Sequence, residues 1–251
     1  MTTKKLHPQF SNSSIIEAII EIHFNDLLSN EDMDVIAGKL GKNYECKKDN
    51  IVVYTAAIGE RGMTIGHEKT GQFRLQIQKS KHILVQVFSG RFSVHWLGKY
   101  QGWQVFESEF LNIWKDFQTT FPKIQSRKIG IRFINRLDEK TSDQPLQVWF
   151  KSSPYYPKSL LACKSDFFYR GKWRLDSEIL GQRHMMITIA ESEPINENLR
   201  PLLYDIDVIH TWDKTFSSTK QIIHVISSLH EAIWTIFSSS ISKLYKQVLK
   251  K

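Results

Sequence analysis

Cysteine is scarce in this chain of 251 residues: only Cys46 and Cys163 occur, far apart and in no metal-ligand spacing. That pattern excludes a thiolate zinc site, a CxxC redox centre and a disulfide scaffold, and it reads as two free thiols in a reducing compartment. The nine histidines are scattered, with no HExxH among them, and glycine-rich phosphate loops are missing. GERG at Gly59 to Gly62 lacks the trailing lysine and the strand–loop–helix setting of a Walker sequence. No apolar run approaches the ~20 residues that cross a bilayer. The opening MTTKKLHPQFSNSS has no apolar segment before Ile15, so it does not read as a signal peptide. Soluble, cytoplasmic and without a membrane partner is the expectation. Acid is also in short supply: 26 Asp and Glu stand against 34 Lys and Arg, a formal charge of +8. That balance favours polyanionic partners through long-range attraction rather than specific contacts.

What the chain has is apolar and aromatic material, 41% and 12% of residues, enough for a large core. Its arrangement repeats. SIIEAIIEIHF alternates, with Ile16, Ala18, Ile20, Ile22 and Phe24 on one side and Glu17, Glu21 and His23 on the other with Ile15 and Ile19, which predicts a half-buried strand with a partly apolar second face. Ser29 caps a short helix carrying Met33, Ile36, Ala37 and Leu40. Strands follow over Ile51 to Ile58, Met63 to Glu68, Gln72 to Gln78, His82 to Phe88 and Arg91 to Trp96, joined too tightly for parallel crossovers. Trp103, Phe106, Phe110, Ile113, Trp114 and Phe117 then recur at three and four, a helix stopped near Pro122. The pattern restarts with SRKIGIRFINRL. Strands are expected over Phe167 to Glu178, His184 to Ala190 and Leu203 to His210, and one helix from Ser218 to Val248 that serines 238 to 240 weaken without breaking. Leu146 to Ser165 reads as a short strand, an irregular loop and a helical turn.

The expected fold is therefore α+β: two similar halves, each a curved antiparallel sheet with a long closing helix, in a saddle or clam. Residues 1–14 form a polar lead-in, 15–123 the first half and 124–251 the second, packed as one globular unit. Two ferredoxin-like units side by side are the alternative.

Three strands carry ionisable groups on their polar sides. Glu17 and Glu21 lie on the first, Lys128, Arg132 and Arg136 on the restart strand, and Lys172, Arg174, Asp176 and Glu178 in YRGKWRLDSE. Facing one concavity, they would offer carboxylates for a divalent ion and cations for phosphate. Paired across strands, they would simply be a solvated sheet face or the seam between the halves. Glu17 and Glu21 are separated by about 13 Å along a strand, too far for one ion to bridge. Asp205, Asp207 and His210 are a further possible ligand set, against the plainer reading of a strand end. Trp96, Tyr100 and Trp103 surround a helix start, where they can stack bases or a partner, or anchor the helix.

Four segments resemble a sporadically distributed family of bacterial and archaeal proteins of about this length. They are SIIEAIIEIHF, FSVHWLGKYQGWQVFESEFLNIW, RKIGIRFINRL and HEAIWTIFSSSISKLY, and the likeness extends over essentially the whole chain. Glu17, Glu21, Tyr100, Gly102, Trp103, Gly130, Arg132, Asn135 and Arg136 match the family's pattern best, with His230 and Phe237 at its recurring histidine and aromatic. The family tends to have arginine or another polar group before its tyrosine-glycine-tryptophan cluster, and the stretch here, HWLGKYQGW, departs from that usual pattern. The resemblance implies no catalytic role. The family's patchy occurrence is similar to that of defence-associated genes.

The expected function is a non-catalytic binding or adaptor protein, in anti-phage defence or toxin control, that recognises nucleic acid or a partner protein, with no cofactor. A divalent-metal-dependent phosphate-ester or polyphosphate enzyme inside the curved sheet is the alternative, and a homo-oligomeric structural subunit, such as a homodimer, the third.

Overall fold

Alternating side chains fix the architecture of the protein. The structure, a computed structural model, describes residues 10–59, 62–216 and 218–251, and the backbone alone at 51–59, 62–72 and 216. Nine strands are described: β1 (Ile15–Phe24), β2 (Glu45–Gly59), β3 (Gly62–Gln78), β4 (Ile83–Phe88), β5 (Arg91–Leu97), β6 (Ser126–Leu137), β7 (Phe168–Leu175), β8 (Gln182–Glu191) and β9 (Leu202–Phe216). All neighbours are antiparallel, in the order β2-β3-β4-β5-β1-β6-β9-β8-β7.

That order corrects the expected pair of sheets. β1 and β6, the strands that open the two stretches, hydrogen-bond to each other at the centre, Ile20 opposite Ile131 and Ile22 opposite Ile129. One continuous nine-stranded sheet therefore crosses the boundary expected at residue 123, and no separate sheet-and-helix half closes on itself. The physical reason is that β1 and β6 each have apolar residues at every second position and two free edges. β5 fills one edge of β1, β9 fills one edge of β6, and the remaining edges satisfy each other.

The helices are α1 (Asn30–Leu40), α2 (Trp103–Thr120), α3 (Thr219–Ser240) and α4 (Lys243–Val248). Ser29 starts α1 with a reciprocal capping box: its hydroxyl accepts from the Asp32 amide, and the Asp32 carboxylate accepts from the Ser29 amide. The helices pack on the face bearing Ala18, Ile20, Ile131, Val94 and Ile206, all completely buried. Phe117 of α2 lies between Phe24 and Phe92, at ring separations of 5.4 and 4.7 Å. Tyr204, Phe237, Phe150 and Tyr245 make a second aromatic cluster beneath α3 and α4. None of the described helices is long and apolar enough to cross a membrane.

Several elements differ from expectation. The strands expected at Met63 and Gln72 are one strand, β3, whose pairing with β2 continues to Gly59 opposite Gly62 while β4 joins only Leu75–Gln78. The last helix is broken after Ser240. Ile241 is extended and bridges Phe150, the Ser242 amide donates to the Trp149 carbonyl, and Ser242 caps α4. These contacts come from the segment at 146–165, which has two 3₁₀ turns (Leu146–Val148 and Lys158–Ala162) and no strand. Of the expected polar lead-in, residues 1–9 lie outside the described residues. Asn12 donates its amide to Leu249, which ties the start of the described chain to its end.

Candidate functional site on the open sheet face

Because side chains alternate, the residues between the buried ones line the opposite face. In rows across the central strands, Glu21 stands between Ser93 and Gly130, and Ile19 between His95 and Arg132. Arg132 faces Asp207, and Ile134 faces Asp205. Glu17, Glu21, Lys128 and Arg132 thus come together on β1 and β6, joined by Arg91, His95, Asp205 and Asp207 from the strands on either side.

Most of these charges close on a specific neighbour, Lys128 and Asp207 excepted. Arg132 holds Asp205 in a two-pronged pair, Nε to Oδ1 at 2.9 Å and Nη2 to Oδ2 at 2.7 Å. Glu21 meets His23 at 2.8 Å and Arg91 at 3.5 Å. Burial raises the Glu21 pKa, but the hydrogen bond with His23 and the charges of His23, Arg91 and Lys128 outweigh it and hold the carboxyl below its ordinary range. Gly130 makes room for this arrangement, since a β carbon there would stand 3.1 Å from Glu21 Cγ and 3.3 Å from Ile209 Cγ1. Asp207 is the exception among these carboxylates. Its register partner Arg132 is taken by Asp205, so burial, then Glu21 and Asp205, push the Asp207 carboxyl from 3.8 up to about 7.

On the other side of β1 lies a group that the strand patterns do not single out. Ser93 Oγ is 3.0 Å from His95 Nε2, and His95 Nδ1 is 2.7 Å from Glu17 Oε1. This is the order of a serine–histidine–acid relay. Yet Ser93 is only 2% exposed, and β5 is paired on both sides, so the amides around Ser93 serve the two ladders rather than an oxyanion. The arrangement satisfies buried polar groups and orients Glu17. Its signal was present in FSVHW, where Ser93 and His95 are two apart on one strand face.

The other expected site residues lie elsewhere. Arg136 pairs with Asp138 at 2.7 Å. Arg174 shares the row of Glu21 but sits four strands away on β7, about 19 Å at ~4.8 Å per strand. Glu178 is exposed in the turn after β7, outside the ladder where it was expected. The groups named for phosphate chemistry therefore do not share one cavity. The inter-strand seam does bring β1 against β6, but the charges of Glu17, Glu21, Arg132 and Arg136 close on His95, His23 and Arg91, Asp205 and Asp138. His210 points to the helix-covered face and is fully buried, so it cannot join Asp205 and Asp207. Among the described residues no three His, Cys, Asp or Glu side chains converge as a metal ion would need.

The expected aromatic surface is used inside the fold. Trp96 is 4% exposed and donates its indole N–H to the Lys99 carbonyl; Trp103 stacks on His230 at 4.1 Å; Tyr100 packs edge-on against Trp96 and Phe106. These rings anchor the start of α2.

No family model and no curated protein matches the chain.

At the far edge of the open face, β7 presents Arg170, Lys172 and Arg174 at alternate positions, all exposed. Among the described residues none of the three has a carboxylate within salt-bridge distance. Lys172 and Arg174 add to burial in pushing the His184 pKa below its ordinary value, which marks this edge as a region of positive potential. The centre of the face is charge-balanced; its edge is not.

Proposed function

We propose that the protein is a non-catalytic binding protein that holds single-stranded nucleic acid along the β7 edge of its open sheet face. The observation that carries this reading is the row of Arg170, Lys172 and Arg174. Alternate residues on a strand are about 6.7 Å apart, so each cation can meet a separate phosphate of an extended strand. A sheet face over which none of the described helices packs gives bases a surface on which to lie. At the centre Glu17, Glu21 and Asp205 are already paired, and among the described residues no carboxylates cluster for metal-assisted hydrolysis. The four segments that resemble a sporadically distributed family, and that family's patchy occurrence, are the reason for placing this activity in defence or toxin control.

Fluorescence anisotropy with a labelled single-stranded oligonucleotide tests the proposal. Three phosphate contacts on a single strand give a salt slope near −2, so affinity falls roughly 20-fold between 50 and 200 mM salt. The triple variant Arg170→Glu, Lys172→Glu, Arg174→Glu abolishes association while melting as the parent does. Absence of binding at 50 mM salt, or an unaffected triple variant, refutes the reading. Capture of an acidic protein in place of nucleic acid would assign the same edge to a protein partner.

A further inference from the structure

The central ladders end unevenly, and the irregularity builds a cleft. Between β1 and β6, His23 pairs with Lys128 and Phe24 with Ser126, so Arg127 is one residue too many. Between β6 and β9 the mismatch is larger: Lys128 pairs with Thr211 but Ser126 with Phe216, which throws residues 212–215 out of the ladder opposite Arg127. A bulge of this kind re-aims side chains and interrupts pairing, and such bulges cluster beside binding sites. Here it opens a cleft of about 380 Å³ whose walls include Asn25, Arg127, Lys128, Trp212, Asp213 and Lys214.

Its frame is fixed at several points. Gly181, at φ +122°, packs so tightly under the strand that a β carbon would run into the Thr211 carbonyl. His210 bonds the Leu180 carbonyl at 3.0 Å, and the Trp212 ring stands edge-on to His210 at 4.4 Å. Thr215 donates its hydroxyl hydrogen to Gln125 at 2.7 Å. The cleft is thus a built feature, with three cations against one carboxylate. Among the described residues none of Arg127, Lys128 and Lys214 has a salt bridge.

We propose that this cleft binds a nucleoside phosphate, with Arg127, Lys128 and Lys214 on the phosphate and the Trp212 indole against the base. Excess cation calls for an anion, and guanidinium and ammonium donors suit phosphate oxygens. The indole wall calls for a planar, polarisable ring beside that anion. Asn25 and Asp213 supply the donor and acceptor that a base edge or ribose hydroxyl requires. The volume lies near the lower end of the ~300–1,000 Å³ typical of ligand pockets, which suits a mononucleotide and not an oligomer. This site is separate from the β7 edge and does not depend on strand binding there.

Calorimetric titration of the full chain with adenosine 5′-monophosphate, adenosine and inorganic phosphate, each at 50 mM salt, tests it. The nucleotide is expected to bind at least tenfold more tightly than adenosine or phosphate. Trp212→Leu lowers nucleotide affinity about tenfold, in the range of base–aromatic stacking, and leaves phosphate affinity unchanged. Lys214→Gln, a substitution at an exposed position in the bulged part of β9 that makes no ladder pair with β6, weakens both nucleotide and phosphate. Equal affinity for nucleotide and phosphate, nucleotide binding indifferent to Trp212 and Lys214, or no heat with any of the three ligands overturns the proposal. The β7 triple variant retains nucleotide binding, so failure here and failure of the strand-binding reading are told apart.

Discussion

Asp207→Asn isolates a carboxyl on the open face that, among the described residues, has no salt-bridge partner. The Asp207 pKa rises from 3.8 to about 7, because the site is buried and Glu21 and Asp205 surround it with negative charge. A carboxyl raised in the folded state favours folding while it is protonated. That contribution is complete below about pH 3.8 and is lost as pH climbs through 7. At 1.36 kcal/mol per pH unit the full span is worth roughly 4 kcal/mol, and the part lost between pH 5.5 and 8.5 is about 2 kcal/mol. Asparagine keeps the shape and cannot ionise. The gap in melting temperature between Asp207→Asn and parent is therefore expected to grow in favour of the variant by about 4 °C from pH 5.5 to 8.5, at ~2–4 °C per kcal/mol for a chain of this size. Thermal denaturation followed by circular dichroism at both pH values measures it, and titrations common to the two proteins cancel in the difference. A gap that stays constant with pH would refute the picture of Asp207 stranded between carboxylates.

Two further substitutions probe the frame around the site. Lys140 is 0% exposed, with its ammonium on Glu191 at 2.8 Å and on the carbonyls of Lys164 and Thr141; Lys140→Ala leaves a largely buried carboxylate without its cation and is expected to cost about 3 kcal/mol in urea unfolding. Gly130→Val drives a branched side chain into Glu21 and Ile209, with an expected loss of about 1–3 kcal/mol, and by displacing Glu21 it also shrinks the pH-dependent gap of Asp207→Asn when the two are combined.

Local structure was legible in the sequence because it depends on near neighbours. The alternation in SIIEAIIEIHF and SRKIGIRFINRL marked two strands and their buried faces, and the aromatic stripe from Phe106 to Phe117 marked α2. The short turns between β3, β4 and β5 announced antiparallel pairing. Strand order was not legible, because the β1–β6 contact joins residues more than a hundred positions apart with two helices and four strands between them. A helix followed by a restarting strand reads as a boundary, whereas here it lets a second set of strands extend the same sheet. The break at Ile241 was hidden for a related reason: it is imposed by Phe150 and Trp149 from another part of the chain.

The site was half legible. Period two placed Glu17, Glu21, Lys128 and Arg132 on one face, and their strands proved to be neighbours. It said nothing of how far Arg174 stood across the sheet, nor that Glu178 falls beyond the end of β7. Ser93 and His95 carried a visible same-face spacing, opposite a strand bearing carboxylates. The bulge at residues 212–215 carried no comparable signal, since TWDK continues β9 without a proline or glycine to mark the change of register.

Amide chemical-shift mapping of the isotope-labelled protein with a single-stranded oligonucleotide tests the functional account most directly. The account predicts shifts concentrated in β7 and the adjoining open-face positions of β8, with α2 and α3 unmoved. Shifts centred on the helices, or none at an oligonucleotide excess in low salt, would contradict it.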